Sequence, residues 1–216
     1  MNILAFDTSL NKTYIAVSKD DTFVSKIYES DEKNYHSAYL IIGIKNILEG
    51  NNLTLQDIDL FAVNHGPGSF TGIRAGVTVA KTLAKELNKN VIGINSLDIL
   101  HKAYENLEPD IVLDARREQF YFKKGDKIEL IPYCEVSNSI TKNVIITDSS
   151  GLIRLSEYLK DDSAKIINYE DDNIDLSKAL ILLAKEKAQS VSNFSWNNLN
   201  PAYIQAPPIH KKAAKN

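Results

Sequence analysis

Short runs of β-prone residues open the chain: Ile3 to Phe6, Thr13 to Val17 and Thr22 to Tyr28, separated by polar stretches at residues 7–12 and 19–21. This spacing predicts an antiparallel meander of three strands, with the segment DTSLNKT (7–13) as a polar hairpin. From His36 to Leu48 the period turns helical. Leu40, Ile41, Ile44, Ile47 and Leu48 share one apolar face, while Tyr39 and Ile42 stand on the other side, so this helix is expected to have two burial partners. A buried strand follows at Leu60 to Val63, and Gly66, Pro67 and Gly68 stop it. A helix then runs from Thr71 to Leu87. Its residues Ile73, Gly76, Val77, Val79, Ala80, Leu83, Ala84 and Leu87, with Gly72, fall in an arc of about 160°, wide enough to pack on a sheet. Beside that arc Thr71, Ala75, Thr78 and Thr82 recur every three or four residues with nothing bulky among them, a strip that lets another helix come close. A strand at Val91 to Ile94 and a helix from Ser96 to about Tyr104 complete a β-β-β-α-β-α order.

The second half begins near Leu107. Ile111 to Leu113 and Gln119 to Lys123 flank a charged tip at 114–118, which predicts a hairpin with a salt-bridged turn. Further strands are expected at Lys127 to Val136, Val144 to Thr147 and Ala164 to Asn168, and helices at Gly151 to Leu159 and Leu176 to Ala188. The tail from Asn200, with Pro201, Pro207, Pro208 and a Lys-Lys-Ala-Ala-Lys stretch, reads as extended and then loose. No internal sequence repeat or low-complexity segment stands out. The division expected is residues 1–105 as one lobe carrying the partner-binding helices and 106–216 as a smaller α/β lobe with the tail.

Composition narrows the function classes. With 216 residues, 44% hydrophobic and 25% charged, the chain suits one large domain or two small lobes. A net charge of −3 gives no global basic field for nucleic acid. The single Cys134 excludes an internal disulfide and a cysteine metal cluster, which points to a reducing compartment. There is no basic start followed by a long apolar run, and no apolar segment long enough to span a bilayer, so a cytoplasmic location is expected.

The glycine turn at 66–72 invites a phosphate-binding reading, because a strand, a glycine turn and a helix N-terminus present free N–H groups to an anion. Neither nucleotide motif is complete. No lysine stands where a Walker A loop needs one, and the residue three past Gly68 is Thr71, where a Rossmann fingerprint has glycine. A structural turn and a bound phosphate both remain open. His36, His65, His101 and His210 make no metal pair at helical spacing, and Ser69 does not sit in G-x-S-x-G, so no metal, cofactor or serine nucleophile is expected. Asp7, Asp114, Arg116, Arg117 and Glu118 are the remaining reactive-looking groups.

GPGSFTGIRAG (66–76) closely resembles the GPGSFTGLRIG signature of the TsaB family, a bacterial subunit of the tRNA threonylcarbamoyladenosine (t6A) machinery. ILAFDTS (3–9), His36-Ser37, DARREQFY (114–121) and PAYI (201–204) extend the resemblance from Ile3 to Ile204. Ala75 replaces a usual aliphatic residue, and Gln205 stands where the family has arginine. The resemblance implies an α/β protein with a two-lobed actin-like (ASKHA, ribonuclease H-like) fold, its mixed sheets flanked by helices. It also implies a non-catalytic scaffold or activator of t6A modification, a pseudoenzyme that forms a heterodimer with TsaD. TsaE, the associated ATPase, joins in the larger complex, and tRNA is met only through that complex, which transfers a threonylcarbamoyl group to the adenosine beside the anticodon. TsaD carries an H-x-x-x-H metal motif on the corresponding helix, whereas here Leu40 follows His36. The second faces of the two helices predict a partner interface of His36, Tyr39, Ile42, Thr71, Ala75, Thr78 and Thr82, and the resemblance implies that the two helices meet TsaD as a four-helix bundle; self-pairing through the same strip would make homodimer and heterodimer mutually exclusive. The alternative from another class is an actin-like small-molecule kinase with weak ATP binding.

Overall fold

A computed structural model describes residues 1–20, 22–29, 39–159, 164–190 and 194–205. Among the described residues ten strands form two five-stranded mixed sheets. In the first, β1 (Ile3–Asp7), β2 (Lys12–Lys19) and β3 (Thr22–Glu29) are the expected meander, and β4 (Leu60–Asn64) and β5 (Asn90–Ile94) add in parallel on the far side of β1, giving the order β3-β2-β1-β4-β5. The second sheet repeats this plan. There β6 (Asp110–Arg116), β7 (Gln119–Lys124) and β8 (Lys127–Pro132) are antiparallel, while β9 (Val144–Thr147) and β10 (Lys165–Asn168) run parallel beside β6, in the order β10-β9-β6-β7-β8. Helices α1 (Leu40–Gly50), α2 (Phe70–Leu87) and α3 (Ser96–Ala103) of the first half occupy the same chain positions as α4 (Val136–Ser139), α5 (Ser149–Tyr158) and α6 (Leu176–Ser190) of the second. The duplication lies in topology and left no readable trace in the sequence.

Strands β1 and β4 are buried throughout because both faces of the first sheet are covered. Leu4, Phe6, Ile15, Val17, Phe61 and Val63 point to the side holding α1 and α2, while Ile3, Ala5, Tyr14, Ala16, Leu60 and Ala62 point to the other. That other side is closed by α6, whose Leu176, Ala179, Leu180 and Ala184 pack against the first sheet although the helix comes from the second half of the chain. Reciprocally, α3 of the first half packs against α6 and reaches β6 and β7. The α3–α6 pair joins both sheets in one apolar core that includes Ile111, Leu113 and Ile146. Leu199 also returns to the first half, in the core beneath α1 and α2. Helix α6 thus follows β10 in the chain but packs on the first sheet.

Two further differences have local causes. β8 stops at Pro132, which has no N–H to extend a ladder, and a 3-10 turn at Tyr133–Glu135 and α4 take the place of the strand expected to Val136. Residues 36–38, at the start of the helix read from His36, lie outside the described residues, and α1 is described from Leu40. Its buried face is Leu40, Gly43, Ile44, Ile47 and Leu48, so Ile41 is not part of the core stripe. Gly43 sets that rotation: a Cβ there would stand 2.3 Å from Ile15 Cδ1, so the helix presses on the sheet along its glycine line and Ile41 is turned out. Among the described residues no helix is long and apolar enough to cross a membrane.

Candidate functional site

The N-terminus of α2 is locked onto the end of β1. Thr8 Oγ1 donates to Gly72 O at 2.6 Å, and Ser69 N donates to Ser9 O at 2.8 Å. The side chain of Ser69 caps the helix by accepting from Gly72 N at 3.3 Å. Such contact requires glycine: a Cβ on Gly68 would lie 2.5 Å from Ser9 O, and one on Gly72 only 1.8 Å from Thr8 O. The glycine spacing thus serves close approach of backbone to backbone. Asp7, Thr8 and Ser9 are accordingly buried, where their composition predicted a polar hairpin. Asp7 Oδ1 accepts from the backbone N and hydroxyl of Ser9 at 2.6 and 2.7 Å, and Oδ2 accepts from Asn64 Nδ2 at 2.8 Å. Burial pushes the Asp7 carboxyl above its ordinary value, and these hydrogen bonds oppose the rise. Both oxygens are engaged by protein donors, so Asp7 is built as a brace between β1 and β4.

A cleft of about 740 Å³ lies where the carboxyl ends of β1, β4, β6 and β9 converge, lined by Ser69, Phe70, Asp114, Arg116, Asp148 and Tyr203 among others. Open α/β sheets hold ligands in such a place. The charged tip of the β6–β7 hairpin borders it, with Arg116, Arg117 and Glu118 at φ of 61°, 50° and 60°. This turn is shaped by Asp114, whose Oδ1 accepts from Arg116 N at 2.7 Å and from the Tyr133 hydroxyl at 2.6 Å. Asp148 caps α5: its Oδ1 accepts from Gly151 N at 2.7 Å and from Asp114 N at 3.2 Å, and burial raises its carboxyl to about 6. Among the described residues no three His, Cys, Asp or Glu side chains converge as metal ligands would.

A second surface carries most of the residues singled out from the sequence. Helices α1 and α2 lie on the same face of the first sheet, α1 over β2 and β3, α2 over β1, β4 and β5. Thr71, Thr78 and Thr82 are exposed along α2 and Ala75 is half-buried beside them, so the strip is open. On α1, Ile42 is 48% exposed and Ile41 62%. Tyr39, just ahead of the helix, is half-buried and stacks on Tyr28 at 5.4 Å between ring centroids. His36 lies outside the described residues. Sequence reasoning missed Ile41, Phe70 (45% exposed) and Tyr203 (44%), the last two stacked at 5.3 Å where the C-terminal segment crosses the start of α2. Adjacency to Thr71 was the available signal for Phe70. The same segment bonds Ala202 N to His65 O at 2.8 Å and Gln205 Nε2 to Gln119 Oε1 at 3.0 Å, so the residue that replaces the family's arginine bridges to β7.

Two mixed sheets of one repeated topology, flanked by helices and enclosing a cleft at their strand ends, define an actin-like α/β protein. A solved structure titled "YeaZ from Pseudomonas aeruginosa" superposes with a TM-score of 0.77 at 20% identity, over 94% of this chain and 99% of that one. The chain belongs to the family described as TsaD: tRNA N6-adenosine threonylcarbamoyltransferase, whose sequence model matches residues 27–148. It is similar to "tRNA threonylcarbamoyladenosine biosynthesis protein TsaB" of Bacillus subtilis, 34% identical over 61% of this chain and 60% of the relative. The protein of the same name in Buchnera aphidicola subsp. Schizaphis graminum is 28% identical over 76% of this chain and 87% of its own length. The chain thus spans about three fifths of the first relative and most of the second.

Proposed function

We propose that the chain acts in tRNA threonylcarbamoyladenosine biosynthesis as a non-catalytic subunit that binds the transferase TsaD through the outer faces of α1 and α2, with TsaE and tRNA met through that complex. The names carried by its relatives support the pathway. The observation that carries the role is the exposure of Ile41, Ile42 and the small-residue strip on two neighbouring helices. Two exposed isoleucines on α1 and an open strip of small residues on α2, on one face of the first sheet, suit packing by another helix pair. The hydrogen bonds of Asp7 support the same reading, since both carboxylate oxygens at the end of β1 are already used to tie β1 to Ser9 and Asn64. Purified chain and purified TsaD are the test. Ala75→Arg and Thr78→Glu place a charge in the closest part of the contact and should weaken binding by about 3 kcal/mol, roughly a hundredfold, while leaving the fold intact. Folded variants that bind TsaD like the wild type would remove this surface from consideration.

The kinase alternative rests on the cleft at the strand ends. Its test is thermal: a ligand at about 100 times its Kd adds about 2.7 kcal/mol of stability, so Mg-ATP at millimolar concentration should raise the melting temperature of a kinase by several degrees and leave a non-catalytic subunit unmoved.

A further inference from the structure

The outer face of α2 is asymmetric in charge. Arg74, Lys81 and Lys85 are spaced seven and four residues apart and so line one edge of the face, beside the strip of Thr71, Ala75, Thr78 and Thr82. Arg74 and Lys85 are exposed and Lys81 is half-buried. None of the three takes part in an ion pair among the described residues. The single carboxylate of α2, Glu86, lies on the opposite edge of the face. Two of the cations are held in place by aromatic rings. The Arg74 guanidinium lies 5.1 Å from the centroid of Phe70, itself stacked on Tyr203, and Lys85 Nζ lies 5.4 Å from that of Trp196 in the 3-10 turn flanking α2. A side chain pinned on a ring loses less freedom when a partner arrives, so these cations are preset for contact.

We propose that this row is the specificity element of the helix surface: it receives a helix of a different protein bearing carboxylates in register with Arg74, Lys81 and Lys85, and it disfavours a second copy of the chain. The inference rests on the partner reading above and adds the chemistry of the partner. A two-fold homodimer uses the same patch on both copies. Laying α2 antiparallel on its own copy sets the row against itself, cation to cation, and laying it parallel sets three cations against an edge whose one carboxylate is Glu86. Laying α2 on the copy's α1 offers Ile41, Ile42, Lys45, Asn46 and Glu49 as the exposed residues there, and the one carboxylate, Glu49, already pairs with Lys45 at 3.7 Å. Neither arrangement supplies an acidic row from the described residues. Charges at the rim of a helix contact set partner choice and association rate more than they set total affinity.

The test uses the full chain carrying Arg74→Glu, Lys81→Glu and Lys85→Glu together, with purified TsaD as the probe. The wild type should lose about tenfold in affinity between about 0.05 and 0.5 M salt, and the variant should bind at least about tenfold more weakly at low salt with little salt dependence. In sedimentation, an equimolar mixture of wild type and variant should associate more tightly than either alone, because opposite rows then meet. Equal affinity and equal salt dependence of wild type and variant would overturn the proposal, as would a mixture no tighter than the wild type. If the triple variant melts early, the neutral pair Lys81→Gln with Lys85→Gln is read in its place, with a loss of about threefold expected and no change counting against it. Thr78→Glu run in parallel separates the two ideas. If it weakens TsaD binding while the row variants do not, only the row is wrong; if it too binds like wild type, the helix surface itself is wrong.

Discussion

Replacing Gly72 with alanine tests how the glycine string works. In an open helix this change gains about 1 kcal/mol from propensity. Here the new Cβ would stand 1.8 Å from Thr8 O, 2.7 Å from Thr8 C and 3.1 Å from Ser9 Cα, all of them backbone atoms that cannot swing aside. An ordinary contact needs well over 3 Å, so the start of α2 must retreat from β1 by more than an ångström. That movement stretches the Thr8–Gly72 and Ser69–Ser9 hydrogen bonds of 2.6 and 2.8 Å. Two bonds at about 1 kcal/mol each, with about 1–3 kcal/mol of overpacking and the propensity gain set against them, leave a net loss of about 2–4 kcal/mol. For a chain of this size that lowers the melting temperature by roughly 4–16 °C. Gly50→Ala is the internal control: nothing lies within 4 Å of its Cβ position, and it should be neutral or stabilising by up to about 1 kcal/mol. Urea unfolding of both variants decides it. If Gly72→Ala is as stable as Gly50→Ala, the close-approach account of the motif is wrong.

Leu180→Ala should cost about 2–5 kcal/mol, because Leu180 is buried between α6 and the first sheet, and a fragment ending at residue 105 should fail to fold for want of that cover; circular dichroism and proteolysis check both. Asp148→Asn keeps an oxygen to accept from Gly151 N and Asp114 N but removes the charge. Since burial raises the folded-state pKa to about 6, the native state holds a proton the unfolded state has released, and wild-type stability falls as pH rises from about 4 to about 6. The variant should lack that fall, worth at most about 3 kcal/mol, and equal pH profiles would refute the assignment. The isolated chain should show no ATPase, protease or transferase turnover; activity that survives repurification and disappears in Asp7→Ala would favour the kinase reading.

Strands were legible wherever burial on both faces wrote a continuous apolar run, as in β1 and β4, and α2 was legible because its apolar arc is wide and its first turn is marked by glycine. The exposure of Thr71, Thr78 and Thr82 could also be read, since they lie outside the apolar arc of α2 at helical spacing. Polar burial was not legible: Asp7, Thr8 and Ser9 look like a solvated turn until the start of α2 covers them, and that depends on contacts sixty residues away in the chain. The crossing of α6 onto the first sheet was hidden for the same reason, because an amphipathic period says which face is buried and nothing about which sheet it meets. Ile41 was misassigned because Gly43, counted as neutral in the pattern, is what the sheet packs against.

The claim that α1 and α2 form a partner surface is tested most directly by amide hydrogen exchange on the chain with and without purified TsaD. The account predicts added protection in α1 (Leu40–Gly50) and α2 (Phe70–Leu87), strongest where Thr71, Ala75 and Thr78 face outward, with β8 and α5 unchanged. Protection that appears at the cleft turns 114–118 and 148–151 while α1 and α2 exchange as in the free chain would contradict it.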